Sequence, residues 1–395
     1  MIYRYICLSI KTKLPIMTKL FSVSAIVAPL CIGAFLMCTP RHEPQQLTAS
    51  PADDMKLEVA VSGLKMPWAI AFLPNGDMLV TERTGQLRLV QNGQLHADPI
   101  KGLPEIIYKG QGGLLDVVLH PKYAQNGWIY FSYASPAQNG EAGAGFTSAF
   151  MRARLKNHEL VDKQVLFRAK PNVTTNHHFG GRIVFDNAGF VYLTVGDRGQ
   201  KEQAQLLNNH QGKVMRLNDD GSLPKDNPFV GRANAMPEIF SYGHRNPQGL
   251  TLNPETGEIW EHEHGPQGGD EVNISRKGLN FGWPAITFGI DYDNSIISND
   301  TARVGMEQPV IYYKPSIAPC GMTFLKGTKF KAWQGNLLVG SLKFNYLKRC
   351  TIKNNKVVSQ ETIFDKIGRV RDIREAPNGD IYVVVENTGS IMRIY

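Results

Sequence analysis

Six times along the chain an apolar, alternating strand runs into a tight turn of Pro, Asn, Asp or Gly and returns as a second strand rich in β-branched and aromatic residues. The copies are AIAFLPNGDMLVTER from Ala69, DVVLHPKYAQNGWIYFSYA from Asp116, RIVFDNAGFVYLTVGD from Arg182, GLTLNPETGEIWEHEHG from Gly249, GMTFLKGTKFKAWQGNLLVGS from Gly321 and DIREAPNGDIYVVVEN from Asp372. Their turns carry residues that adopt positive φ or preset a bend, so each copy is a β-hairpin. Intervals of roughly 45 to 75 residues between copies leave room for two further strands per repeat, the period of propeller blades. The expectation is an all-β chain: a six-bladed β-propeller of four-stranded antiparallel blades over residues 55–395. Such a ring closes by drawing one blade from both chain ends, with DIYVVVENTGSIMRIY supplying inner strands and MKLEVAVSGL the outer one. A β-sandwich with a second domain is the alternative, and sandwiches lack this long-period self-similarity. The best helix signal is KEQAQLLNNH from Lys201.

Length and composition agree with a repeat array. At 395 residues the chain exceeds the size at which one compact core stops growing. Hydrophobic residues at 42% can build a core, and 38 Gly and 23 Pro supply turns. The formal charge of +8 comes from scattered Lys and Arg, with no basic run interleaved with aromatics, which argues against nucleic acid. Attraction of small anions is a better use of that charge.

The N-terminus places Lys11, Lys13 and Lys19 before the apolar run LFSVSAIVAPLCIGAFLMC. Residues 1–38 read as an export signal or an uncleaved membrane anchor, with Met17 a more natural start, and residues 39–54 as a polar tether. A periplasmic or extracellular location follows, with Cys38 a candidate lipid attachment point. Of five cysteines only Cys320 and Cys350 lie in the body. They could pair, but two give no disulfide framework, and without C-x-x-C a thiolate zinc site is not expected.

In a propeller, chemistry collects where loops leave the inner strands at one mouth of the channel. Six stretches break the blade pattern there: GQGGLLD with Gln111, NHHFGGR with His177 and His178, YGHRNPQGL with His244, Arg245 and Asn246, EHEHGPQGGDEVN, GSLKFNYLKR with Lys343, and GRVRDI with Arg369 and Arg371. Arg369 and Arg371 alternate and so share a strand face. Taken singly, each has a plain structural reading: a solvated strand face for the arginines, a surface lysine for Lys343, a capped turn for HRNP, structural histidines for His177 and His178. Their common phase in the repeat brings cations from three blades to one funnel, which implies a polyanionic ligand. In EHEHGPQGGDEVN, His262 and His264 face one way and Glu261 and Glu263 the other, so zinc is disfavoured. Carbonyls freed at Gly265-Pro266, with Asp270 and Glu271 nearby, suit calcium better.

Together, GQGGLLDVVLHP, HHFGGRI, GHRNPQGL, HGPQGGDEVN, NFGWP and GRVRDI, in that order from about Leu64 to Tyr395, resemble the soluble pyrroloquinoline quinone (PQQ)-dependent glucose/sorbosone dehydrogenases, and among them the aldose sugar dehydrogenases. The resemblance implies PQQ and calcium as cofactors, oxidation of aldoses to lactones, and an external electron acceptor. It implies His178 as general base, Gln111 as a contact to substrate or cofactor, and Arg245 with Asn246 at the quinone oxygens. Lys343, Arg369 and Arg371 would clamp the cofactor carboxylates, and the carbonyls of Gly265 and Pro266 would hold calcium. Ser316 in PSIAPCG falls near a family hydroxyl contact to the cofactor. The chain departs from glucose-oxidising members at His177, where they carry an acid, and at His264, where they carry an amide. Two rival functions remain for a six-bladed ring with this mouth: a calcium-dependent lactonase or other hydrolase, and a non-catalytic carbohydrate-binding propeller.

Overall fold

The computed structural model describes residues 55–395; the expected export signal or membrane anchor and the expected polar tether lie outside the described residues. The first strand, β1 (Leu57–Val61), is followed by six hairpin-linked groups. These are β2 (Pro67–Phe72) to β5 (Gln94–Leu95), β6 (Leu114–Leu119) to β9 (Glu159–Arg168), and β10 (Ile183–Phe185) to β13 (Ile239–Tyr242). Then come β14 (Pro247–Leu252) to β17 (Ile311–Tyr313), β18 (Pro319–Phe324) to β21 (Lys356–Ile363), and β22 (Val370–Glu375) to β24 (Ser390–Ile394). Each of the first five groups is a four-stranded antiparallel sheet in sequential order, and the sixth is completed by β1 pairing with β24. The protein is therefore a six-bladed β-propeller, and all six repeated hairpins are the two innermost strands of a blade. The ring closes as the MKLEVAVSGL segment requires, with Leu57 opposite Ile394.

Blades adhere through the apolar faces of adjoining sheets. Leu79 and Leu87 of the first blade pack with Val117, Phe131 and Met151 of the second. Each such side chain contributes about 1.5–3 kcal/mol when fully buried, which no isolated blade could realise. The inner strands all start at one mouth of the channel and end at the other. Near their starting ends, five of the six first hairpins carry a register shift, the bulges that typically re-aim side chains at a barrel rim.

Below this mouth the axis is plugged by charge. Asp372 accepts from Arg182 Nη1 and from Arg374 Nε, both at 2.9 Å, and Asp116 accepts from Arg374 Nη2 at 2.9 Å. Arg182 also lies 4.0 Å over the Trp68 ring. Burial pushes Asp116 up, while Arg374 and Arg182 pull it down. Two cations and two anions from three blades thus neutralise one another out of water.

Two local expectations change. KEQAQLLNNH forms only a 3-10 turn, Lys201–Gln205, because the carbonyls of Gln203 and Ala204 turn to the buried ammonium of Lys213, at 3.0 and 3.1 Å, instead of to a following helical turn. Cys320 and Cys350 are separate buried free thiols. Among the described residues no helix is long and apolar enough to cross a membrane.

Candidate active site

The starting ends of the inner strands, and the returning ends of the second strands, build two adjoining cavities that share Gln111. One, of about 390 Å³, is lined by His177, His178, Asp197, Lys201, Arg245, Pro266, Trp283, Asp291 and Tyr292. The other, of about 280 Å³, sits over the axis among Trp68, Arg83, Asn246, Gln248, His264, Leu342, Arg369, Arg371 and Glu386. A larger concavity, of about 700 Å³, lies at the opposite mouth. Its carboxylate, Glu375, is already capped by the backbone N–H groups of Lys326 and Gly327, each at 2.8 Å.

His178 has a positive φ of 54°, and its ring is almost entirely buried, with the side chain 12% exposed. Its backbone N–H donates to Gln111 Oε1 at 2.9 Å, and Nδ1 lies 2.7 Å from Asp197 Oδ1. Because a carboxylate accepts, Nδ1 carries the proton and Nε2 presents a lone pair. Asp197 is fixed in turn by Trp283 Nε1 at 2.8 Å and the Gly199 N–H at 2.7 Å. Burial lowers the His178 pKa, the Asp197 hydrogen bond works against that, and the net direction is downward. The ring is a neutral base at pH 7. The Gly180-Gly181 pair serves blade packing: a Cβ on Gly180 would stand 2.7 Å from the Thr194 carbonyl, and one on Gly181 2.6 Å from Leu115 Cδ1.

Arg245 donates from Nη1 to the carbonyls of His264 and Gly265 at 2.9 and 3.2 Å, which aims its guanidinium between the cavities. Asn246 Oδ1 accepts from the Gly180 N–H at 3.2 Å. Arg371 pairs with Glu386 and reaches Gln248 Oε1 at 3.2 Å, while Arg369 donates to the Leu342 carbonyl at 3.1 Å. His264 lines the axial cavity, its Nε2 on the Pro319 carbonyl at 2.7 Å; burial drives its pKa well down. Two expected cofactor contacts stand outside both cavities. The Lys343 ammonium is exposed, 5.3 Å over the Phe344 ring, and Ser316 Oγ donates to the Asp270 carboxylate at 2.7–2.8 Å.

Asp197, Trp283, Arg83, Gln248 and Glu386 line these cavities without having been singled out by sequence. A signal was present for three of them. Arg83, Asp197 and Glu386 each directly follow the second strand of a blade or lie within two residues of its end, and in an antiparallel hairpin that end returns to the mouth where the first strand began.

The residues fit the groups that the motifs imply. Three guanidiniums against one carboxylate, Arg83, Arg369 and Arg371 with Glu386, suit a flat polycarboxylate. For a hard cation, Gly265, Glu263 and Glu271 line a void of about 10 Å³ that Arg245 also borders, the scale of one water or ion. Behind it Glu261, wholly buried, has both oxygens without hydrogen-bond partners, and it forms a potential metal cluster with His244 and Glu263. Burial and the neighbouring Glu263 charge push Glu261 well up, as expected of carboxylates gathered out of water.

Residues 64–393 match the Glucose / Sorbosone dehydrogenase family. The chain belongs to that family. It is 42% identical over 353 residues to the aldose sugar dehydrogenase YliI of Escherichia coli, covering 88% of this chain and 94% of that one. The apo-form structure of the soluble aldose sugar dehydrogenase from Escherichia coli superposes with a TM-score of 0.81 at 39% identity, over 86% of this chain and 99% of that one. The PQQ-bound form of the aldose sugar dehydrogenase from Streptomyces coelicolor does so with 0.71 at 25% identity, over 87% and 99%. A sugar oxidoreductase is the class these relatives support.

Proposed function

We propose that the protein is an exported, PQQ- and calcium-dependent dehydrogenase that oxidises aldoses at the anomeric carbon to lactones and passes the electrons to an external acceptor. The observation that carries this reading is the adjacency of an oriented neutral base, His178, to a cation-lined cavity across the shared Gln111. Bound PQQ supplies the hydride-accepting carbon, chemistry no side chain offers.

The chain's own residues do the rest. His178 Nε2 takes the proton of the anomeric hydroxyl, and Asp197 holds the ring in the tautomer that makes this possible and stabilises the imidazolium that results. Arg245, pinned by two carbonyls, presents positive charge where negative charge develops on the acceptor. Arg369 and Arg371 hold the cofactor's carboxylates, with Lys343 adding charge from the rim, and Asn246 and His264 line its bed. The Gly265 and Pro266 carbonyls, with Glu263 and Glu271 behind them, would hold calcium as an all-oxygen set. A metal-dependent hydrolase has no use for the three guanidiniums, Arg83, Arg369 and Arg371, that line the axial cavity.

Reconstitution tests the proposal: apo-protein is given PQQ and calcium, and dye reduction is followed across a panel of aldoses. Turnover that needs both additions is expected. No spectral change with PQQ and no turnover with any sugar would overturn it, and lactone hydrolysis without quinone would put a hydrolase in its place.

A further inference from the structure

We infer that Arg83 is a cofactor-binding residue, closing the cationic cavity from the first blade and taking a carboxylate of the bound ligand. The inference rests on the PQQ reading and extends it to a residue that none of the motifs contains.

Arg83 follows β3 (Met78–Glu82) and lines the axial cavity opposite Arg369 and Arg371. Its backbone is clamped from both sides: its N–H donates to the Met66 carbonyl at 2.9 Å, and its carbonyl accepts from the Leu114 N–H at 3.3 Å. Gly113 makes that approach possible, since a Cβ there would fall 1.9 Å from the Arg83 carbonyl oxygen. The side chain is steered by the Gly110 carbonyl, which accepts from Nη1, and by the Tyr108 ring at 5.3 Å. Nε is buried and has no hydrogen-bond partner. The guanidinium makes no ion pair with Glu386, whose carboxylate pairs with Arg371. A preorganised cation therefore lines, with two further guanidiniums, a cavity holding one carboxylate.

Such crowding of like charge favours binding of an anion. The Arg83 pKa responds accordingly: burial lowers it, Glu386 acts in the opposite sense, and Arg371 and Arg369 lower it further. Arg374, by contrast, is paired with both Asp116 and Asp372, carboxylate partners that Arg83 lacks. Three cations against one anion leave an excess of two positive charges, which two carboxylates of a polycarboxylate ligand would neutralise.

The test is equilibrium binding of PQQ to apo-protein by wild type, Arg83→Met and Arg83→Lys at low and high salt, with thermal midpoints recorded with and without PQQ. Arg83→Met should weaken binding by about 10- to 100-fold, the scale of one charge-assisted hydrogen bond. It should also flatten the salt dependence, with Arg83→Lys recovering part of the loss, and leave the cofactor-free midpoint equal or raised. Unchanged affinity, or a loss of affinity in step with a lowered cofactor-free midpoint, overturns the inference. Benzene-1,3,5-tricarboxylate is the parallel probe that separates this from the functional reading. If wild type takes the tricarboxylate but not PQQ, the PQQ assignment fails, and Arg83 stands only if Arg83→Met loses the tricarboxylate.

Discussion

His178 Nδ1 lies 2.7 Å from Asp197 Oδ1, and this one contact sets both the tautomer and the direction of the base. Replacing His178 by Gln should lower kcat by at least about 100-fold, the scale of general-base catalysis. PQQ affinity, measured on the apo-protein, should change little. Unchanged turnover would remove His178 from the mechanism.

The pH profile carries a second expectation. The neutral ring is the active form, so activity is complete above the His178 pKa and lost as pH falls through it. Burial holds that pKa below the ordinary 6.5, which places the acid limb of kcat/KM on the acidic side of 6.5. In Asp197→Asn the charge that raises the imidazole pKa is gone, so the limb should move to lower pH while the plateau falls. A limb that shifts upward would contradict the assignment.

Two of the candidate carboxylate clamps, Arg371 and Lys343, differ in burial, and their contributions should differ with it. Arg371 is buried in the axial cavity, whereas the Lys343 ammonium is exposed beside Phe344. Titration of PQQ into Lys343→Met should show a loss that high salt largely abolishes, as for a screened surface charge. The loss in Arg371→Met should be larger and should persist in salt.

At the axis, Asp372 bonds both Arg182 and Arg374. Asp372→Ala leaves the Arg182 and Arg374 guanidiniums to share Asp116 alone, and breaking a buried pair costs about 3–5 kcal/mol. Denaturant unfolding should register that loss without calcium or cofactor present.

Glu261 gives a test of the cation site. If an ion occupies this cluster, Glu261→Gln should weaken calcium affinity, read by competition with a fluorescent chelator. In calcium-free protein the same substitution should leave the thermal midpoint equal or raised, because burial and the Glu263 charge already push the Glu261 carboxyl toward its neutral form, which Gln matches in shape. A variant that is less stable without calcium would argue that the cluster needs no ion.

The architecture was legible because a propeller repeats: six hairpins, each with its own turn chemistry, repeat the same message. His178, Arg245, Arg369 and Arg371 were legible as departures from that repeat before a first strand. Asp197 and Arg83 were not, since each sits in an ordinary-looking turn, GDRG or ERTG, and gains meaning only when the returning strand brings it back to the mouth. The Lys201 segment misled for the opposite reason. Its local helix preference is real, but a buried ammonium from Lys213, distant from it in the fold's logic, takes the carbonyls that a longer helix would need.

The pairing of β1 with β24 also fixes where the chain enters and leaves the ring. Lys56 and Tyr395 exchange backbone hydrogen bonds at 3.1 Å in both directions. Since β22 runs away from the catalytic mouth, β23 returns and β24 runs away again, both ends lie on the far side. A graft or surface linkage made at either end would point the sugar-facing opening outward, and a short loop joining the two ends would allow new termini to be cut elsewhere in the circle.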